Sequence, residues 1–191
     1  MKIAVTGHSA GIGQALAKIL SARGHEIVGL SRRNGHNIRV IDKITNLVEP
    51  CDLFINNAQV GYAQTELLYA VWQRWQNQPG KHIWCISTMM TQAPTNNDIP
   101  GQSDLAINAY RNQKIALENA CNQLRSKAWF PVITIIRPGA VATQPAQQSP
   151  WPYANVDIWA QTIIDTVVSS ESQGLRVKEI SLGPTRTPLV L

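Results

Sequence analysis

Tyr110 and Lys114 stand four residues apart, the spacing that places two side chains on one face of a helix. A free phenol, with a pKa near ~10, is a poor proton carrier at neutral pH. A neighbouring ammonium favours the phenolate and lowers that value. Proton transfer through Tyr110, tuned by Lys114, is therefore the chemistry to expect. Tyr-x-x-x-Lys is common by chance, and its weight comes from what precedes it. Thr6-Gly7-His8-Ser9-Ala10-Gly11-Ile12-Gly13 lies between an apolar strand and an apolar helical stripe. Glycines there let the chain turn tightly and approach a pyrophosphate, which the free N–H groups and positive dipole end of the helix would face. Thr6, Gly7, Ser9, Gly11, Ile12 and Gly13 are the candidate dinucleotide contacts. A dinucleotide beside a proton carrier points to pyridine-nucleotide oxidoreduction.

Two further stretches fall between these motifs in the chain. Ile86-Ser87-Thr88 ends an apolar run, so the Ser87 and Thr88 hydroxyls would sit at the carboxyl edge of a sheet, where nucleotide sites lie. Either could hold a substrate oxygen beside Tyr110. Asn56-Asn57-Ala58 ends an earlier strand and fits a cofactor-side turn. The tip of the second strand reads Leu30-Ser31-Arg32-Arg33. An NAD site usually carries an Asp or Glu there, which would repel a 2′-phosphate; Ser31 can donate to that phosphate and Arg32 can pair with it. NADP(H) is thus expected over NAD(H), with Arg33 the weaker of the two arginines.

The elements that must position these groups alternate strand with helix, which predicts an α/β fold with a parallel sheet. Ile3–Thr6 reads as a strand, and Ile12, Ala15, Leu16, Ile19 and Leu20 as one helical stripe ending near Gly24. Ile27–Leu30 and Ile38–Ile41 read as strands two and three, with room for only a brief helix over Lys43–Glu49. Leu53–Ile55 and Ile83–Ile86 are the next strands, separated by a helix marked by Leu67, Leu68, Val71, Trp72 and Trp75. A polar stretch from Thr91 to Ser103 is long for a connection and is a candidate functional loop. A helix over Leu105–Lys127 carries Tyr110 and Lys114. Val132–Ile136 is apolar throughout, as in a central parallel strand. Irregular chain over Gln144–Tyr153 precedes a helix with Trp159, Ile163, Ile164, Val167 and Val168, and a last strand near Glu179–Leu182.

With 191 residues and a hydrophobic fraction of 44%, the chain suits one soluble domain over residues 1–191. No apolar run approaches the roughly 18 residues of a membrane span, and the start lacks a signal-peptide pattern, so a cytoplasmic protein is expected. Cys51, Cys85 and Cys121 are widely spaced and read as reduced, buried thiols. No histidine or cysteine spacing suggests a metal. A net charge of +5 without a basic tract argues against a nucleic-acid partner. Six tryptophans are many for this size. Trp72 and Trp75 suit either an oligomer interface or the core, and Trp151 and Tyr153 either a substrate pocket or a loop anchor.

In this order the motifs resemble the short-chain dehydrogenase/reductase family over nearly the whole chain. The resemblance implies a single doubly wound Rossmann-type domain with a mostly parallel sheet of about seven strands. It makes Tyr110 and Lys114 the catalytic pair, with Lys114 also on the nicotinamide ribose. Asp42 takes the place of the acidic residue that contacts adenine, and Asn57 and Ala58 belong to the Asn-Asn-Ala-Gly motif. Arg137-Pro138-Gly139-Ala140-Val141-Ala142-Thr143 resembles the turn that holds the nicotinamide carboxamide, which adds Pro138, Gly139, Val141 and Thr143 to the cofactor contacts. The family's catalytic serine aligns with Thr88, while Ser87 remains open. Dimers or tetramers in the family pack helices four and five, here those carrying Trp72 and Tyr110.

Several departures bear on function. Gln59 replaces the motif's glycine, setting a side chain near the expected cofactor ribose. No asparagine stands where the family carries one for a proton relay; Gln64 is the candidate substitute. The third helix and the segment after Thr143 are short, and the interval from Thr88 to Tyr110 is long. An NADP(H)-dependent carbonyl reductase or alcohol dehydrogenase is expected, acting on a small-molecule carbonyl or alcohol. The alternatives are a non-catalytic NADP-binding sensor or, less favoured, a nucleotide-sugar epimerase or dehydratase.

Overall fold

The structure is a computed structural model that describes residues 1–93, 104–143 and 152–185. Short apolar runs rich in β-branched residues bury both faces of the inner strands, and that pattern builds one sheet. Its strands are β1 (Lys2–Thr6), β2 (Glu26–Leu30), β3 (Leu53–Asn56), β4 (His82–Ile86), β5 (Val132–Pro138) and β8 (Glu179–Leu182). They pair in the order β2-β1-β3-β4-β5-β8, every pair parallel. Two short strands, β6 (Val141–Ala142) and β7 (Ala154–Asn155), form a separate parallel pair. The main sheet therefore has six strands, one fewer than expected.

The missing strand is the one expected over Ile38–Ile41. Asn37 bends the chain there, its side-chain oxygen taking the Arg39 N–H at 3.1 Å and its carbonyl the Val40 N–H at 3.0 Å. An apolar run whose backbone groups are satisfied locally gains nothing by joining the sheet edge. Ile38 still buries its side chain, and Ile41 opens a helix instead.

Helices cover both faces. On one lie α1 (Gly11–Ala22) and α5 (Val156–Ser172), whose Leu16, Leu20, Trp159 and Ile163 pack on Ile3, Val5, Ile55 and Trp84. On the other lie α2 (Ile41–Val48), α3 (Ala63–Trp75) and α4 (Asp104–Lys127), packed on Ala4, Phe54, Cys85 and Ile135. Successive strand residues thus feed opposite cores, as the period of two requires. Trp72 and Trp75 belong to this second core rather than to an outer surface. The three cysteines are buried and free; burial pushes the Cys51 thiol up to about 11. Among the described residues no helix is long and apolar enough to cross a membrane.

Strand order reverses at β1: the chain runs first to β2, then back across to β3 on the other side. The carboxyl ends of β1 and β3 therefore flank the crevice in which such sheets bind ligands. Thr6-Gly7 leaves one of those ends and Asn56-Asn57 the other.

Candidate active site

At the crevice, Thr6 is a fully buried pin. Its hydroxyl donates to the Ile55 carbonyl at 3.3 Å and accepts from the N–H groups of Asn57 (2.9 Å) and Ala58 (3.1 Å). Asn57 returns the bond, its amide donating to the Thr6 carbonyl at 2.9 Å. Thr6 and Asn57 thus hold the two strand ends together. The glycines meet the demands of the turn. Gly7 and Gly11 have φ of 71° and 54°, where a side chain is strained. Thr143 sits directly over Gly11, 3.2 Å from where a Cβ would lie. The Pro138-to-Thr143 turn and the glycine turn, distant in sequence, are therefore in contact.

The turn fits a dinucleotide. Ala10 at the head of α1 offers no capping side chain, and no acid stands in the first turn. The first amides of α1 are left for an anionic ligand. His8 lays its ring against Gly29, where a Cβ would come within 2.4 Å of it. Its Nδ1 is buried with no partner among the described residues. A cleft of about 410 Å³ opens outside Gly11 and Thr143, between α1 and α5. Tyr110 and Thr88 do not line it, so it marks the outer side of the turn.

At the tip of β2 the three candidates separate. Ser31 is buried, and its N–H and hydroxyl both donate to Asn34 Oδ1, at 2.8 and 3.2 Å. That hydroxyl, expected to donate to a phosphate, is spent on the 3₁₀ turn Arg32–Asn34. Arg33 reaches across to the Ser9 carbonyl at 3.3 Å. Arg32 is exposed and has no side-chain partner among the described residues. Asp42 is exposed in the first turn of α2.

Tyr110 is half-buried, with the Thr88 side chain beside its hydroxyl. Burial raises its pKa above the ordinary value, and Thr88 pulls it partly back. Lys114 was expected to lower it. The ammonium does lie over the Tyr110 ring, 5.6 Å from its centre, but it is bound elsewhere. Its Nζ donates to Gln64 Oε1 and to the Ile86 carbonyl, both at 2.8 Å. Desolvation weakens the positive charge on which the expected effect depends.

Lys114 is itself shifted: burial pushes it from 10.5 down to about 7, with Cys85 and Glu118 drawing it partly back up. The folded chain thus releases a proton that the unfolded chain keeps up to 10.5, so stability rises with pH across that window. The urea midpoint of wild type should rise relative to that of Lys114→Met as pH rises from about 7 towards 10.5. A constant gap would mean that Lys114 keeps its proton in the fold.

Gln64, the candidate relay substitute, is buried where α3 begins. Its amide donates to the carbonyls of Asn56 (2.7 Å) and Ile86 (3.0 Å) while its oxygen takes Lys114. It joins the ends of β3 and β4 to α4 directly. Gln59 also turns to α4, donating to Gln113 Oε1. Ser87 and Thr88, alike in sequence, part company: Thr88 meets Tyr110, while Ser87 donates to Glu118. Pro138 closes β5, and Gly139 is pressed against Gly183, 2.8 Å from where its Cβ would lie. Ile12, Val141 and Ala58 pack into the two cores. Tyr153 is half-buried; Trp151 and most of both candidate loops, residues 94–103 and 144–151, lie outside the described residues. Glu118 was not among the expected residues, although it continues the Tyr110–Lys114 spacing by four more positions.

No family model and no curated protein matches the chain. Solved structures do resemble it. An alcohol dehydrogenase from the archaeon Thermococcus sibiricus, complexed with 5-hydroxy-NADP, has 15% identity and a TM-score of 0.73, covering 100% of this chain and 99% of that one. A short-chain dehydrogenase from Burkholderia cenocepacia J2315, in complex with NADP, has 15% identity and a TM-score of 0.72, covering 96% and 88%. The 3-alpha-hydroxysteroid dehydrogenase from Pseudomonas sp. B-0831, complexed with NADH, has 16% identity and a TM-score of 0.63, covering 95% of each. The protein has the Rossmann-type fold of the short-chain dehydrogenases.

Proposed function

We propose that this chain is a short-chain dehydrogenase/reductase that uses NADP(H) to interconvert a carbonyl and an alcohol. The observation that carries the reading is Tyr110 set beside Thr88 and over Lys114 at the carboxyl end of β4, on the same sheet edge as the uncapped glycine turn. Gly7, Gly11, Gly13 and the first amides of α1 would hold the pyrophosphate. Reduced nicotinamide, when bound, supplies hydride to the carbonyl carbon. Tyr110 gives its proton to the carbonyl oxygen, and its raised pKa keeps it protonated at neutral pH, as an acid in the reductive direction must be. Thr88 orients that oxygen. Lys114, held by Gln64 and the Ile86 carbonyl, keeps a polar group beneath the phenol. Carbonyl-dependent loss of NADPH absorbance across a panel of aldehydes and ketones tests the activity.

The preference for NADP rests on Arg32, whose guanidinium has no partner among the described residues, more than on Ser31. Arg32→Ala should weaken NADPH by about tenfold to a hundredfold, the range for a lost charge-assisted hydrogen bond, and leave NADH unchanged. Calorimetric titration with each cofactor reads this. Equal loss for both would remove the basis for the preference.

A non-catalytic NADP sensor is the second reading, favoured by the engagement of Lys114 with Gln64 and the Ile86 carbonyl. Tight NADPH binding with no turnover on any carbonyl would select it. A cytoplasmic homodimer or homotetramer through α3 and α4 completes the proposal.

A further inference from the structure

Three successive turns of α4 grip three successive residues at the end of β4. Tyr110 lies beside Thr88, Lys114 donates to the Ile86 carbonyl at 2.8 Å, and Glu118 accepts from the Ser87 hydroxyl. The same Glu118 oxygen accepts from the Thr91 hydroxyl at 2.9 Å. Thr91 ends the 3₁₀ turn Met89–Thr91, its hydroxyl also 2.9 Å from the Thr88 carbonyl, and Thr88 caps that turn by accepting the Met90 N–H at 3.3 Å. Arg137 fixes the carboxylate, with Nε 2.9 Å from Oε1 and Nη2 2.8 Å from Oε2, and continues to Glu179 at 2.8 Å. The Glu118 and Arg137 side chains are only 12% and 6% exposed.

We propose that Glu118 is a positioning residue for the proton-transfer pair: clamped by Arg137, it holds Ser87 and Thr91 on either side of Thr88 and so keeps the Thr88 hydroxyl on Tyr110. A pair this buried is a poor source of stability, because desolvation offsets the attraction and apolar residues of like volume would serve as well. What a carboxylate adds is an acceptor that two hydroxyls can share. Ser87 is then a tether and not the substrate's partner. The consequence for turnover rests on the oxidoreductase reading; the consequence for the phenol does not.

The groups around the phenol bear on its titration. Lys114 lies over the ring, Thr88 meets the hydroxyl, and Arg111, next on α4, donates to the carbonyls of Met90 (2.9 Å) and Ala93 (3.0 Å). Arg111 also steadies the turn, so removing the Glu118 contacts should loosen Thr88 without unfolding the segment.

The test is the double variant Ser87→Ala/Thr91→Val, which leaves the Glu118–Arg137 pair intact. Its phenol is read by ultraviolet titration, with the same variant carrying Tyr110→Phe as blank. Because Thr88 lowers the Tyr110 pKa, the titration should move upward. Turnover should fall by about tenfold to a hundredfold, as misplacement of a reacting group does, with KM for NADPH held within about twofold. Glu118→Gln, which keeps one oxygen acceptor but no charge, should shift the titration in the same direction and less far. Unchanged titration in folded double variant overturns the proposal, whatever the activity. A shifted titration in a protein that turns over no carbonyl supports the tether and counts against the oxidoreductase reading alone. Should the double variant not fold, the single Ser87→Ala, whose hydroxyl meets Glu118 and not Thr88, decides by the same shift.

Discussion

Tyr110→Phe is expected to lower carbonyl reduction by about 10² to 10⁴, the range spanned by loss of a positioned general acid, while NADPH binds as before. The substitution removes one oxygen and leaves the ring against Lys114. Thr88 loses its partner but keeps the Met90 N–H at 3.3 Å, so the turn it caps has reason to persist. Binding and chemistry should therefore separate: kcat falls, and the NADPH dissociation constant from titration calorimetry does not change. Full activity in Tyr110→Phe would remove the proposed acid. Loss of NADPH binding along with activity would instead mean that Tyr110 serves the cofactor.

The second large effect is expected at Gly13. A Cβ there would lie 2.4 Å from the Gly7 carbonyl oxygen and 2.6 Å from Asn57 Nδ2. Neither can yield cheaply. The first is backbone at a φ of 71°, and the second is committed to the Thr6 carbonyl at 2.9 Å. Gly13→Ala should thus cost about 1–3 kcal/mol, as overpacking does. It should also push the glycine turn off the end of β3, which abolishes nucleotide binding. Thermal unfolding with and without NADPH checks both parts: the midpoint falls, and the rise that a bound ligand gives the wild type disappears. A midpoint that still rises with NADPH would place the phosphates elsewhere than on this turn.

Local pattern carried much of the architecture. The stripe Ile12, Ala15, Leu16, Ile19, Leu20 predicts a helix ending near Gly24, and α1 ends at Ala22 with Gly24 at a φ of 85°. The helices bearing Trp72 and Tyr110 were equally legible, because an amphipathic period depends only on nearby residues. Ile38–Ile41 was not. Its composition suits a strand, but Asn37 offers the backbone a turn, and composition alone does not weigh the two.

The chemistry divides along the same line. Residue types and spacing determined that a glycine turn, an Asn-Asn turn, a pair of hydroxyls and a Tyr–Lys pair would gather at one sheet edge, since each follows a strand or occupies one helix face. Tertiary structure decided what each group does there. It gave Thr88 to Tyr110 and Ser87 to Glu118, spent Ser31 on Asn34, left Arg32 open, and buried Lys114 until its charge weakened. Apart from the Ser31–Asn34 turn, which is local, those outcomes depend on desolvation and on partners more than twenty residues away, which no local spacing encodes.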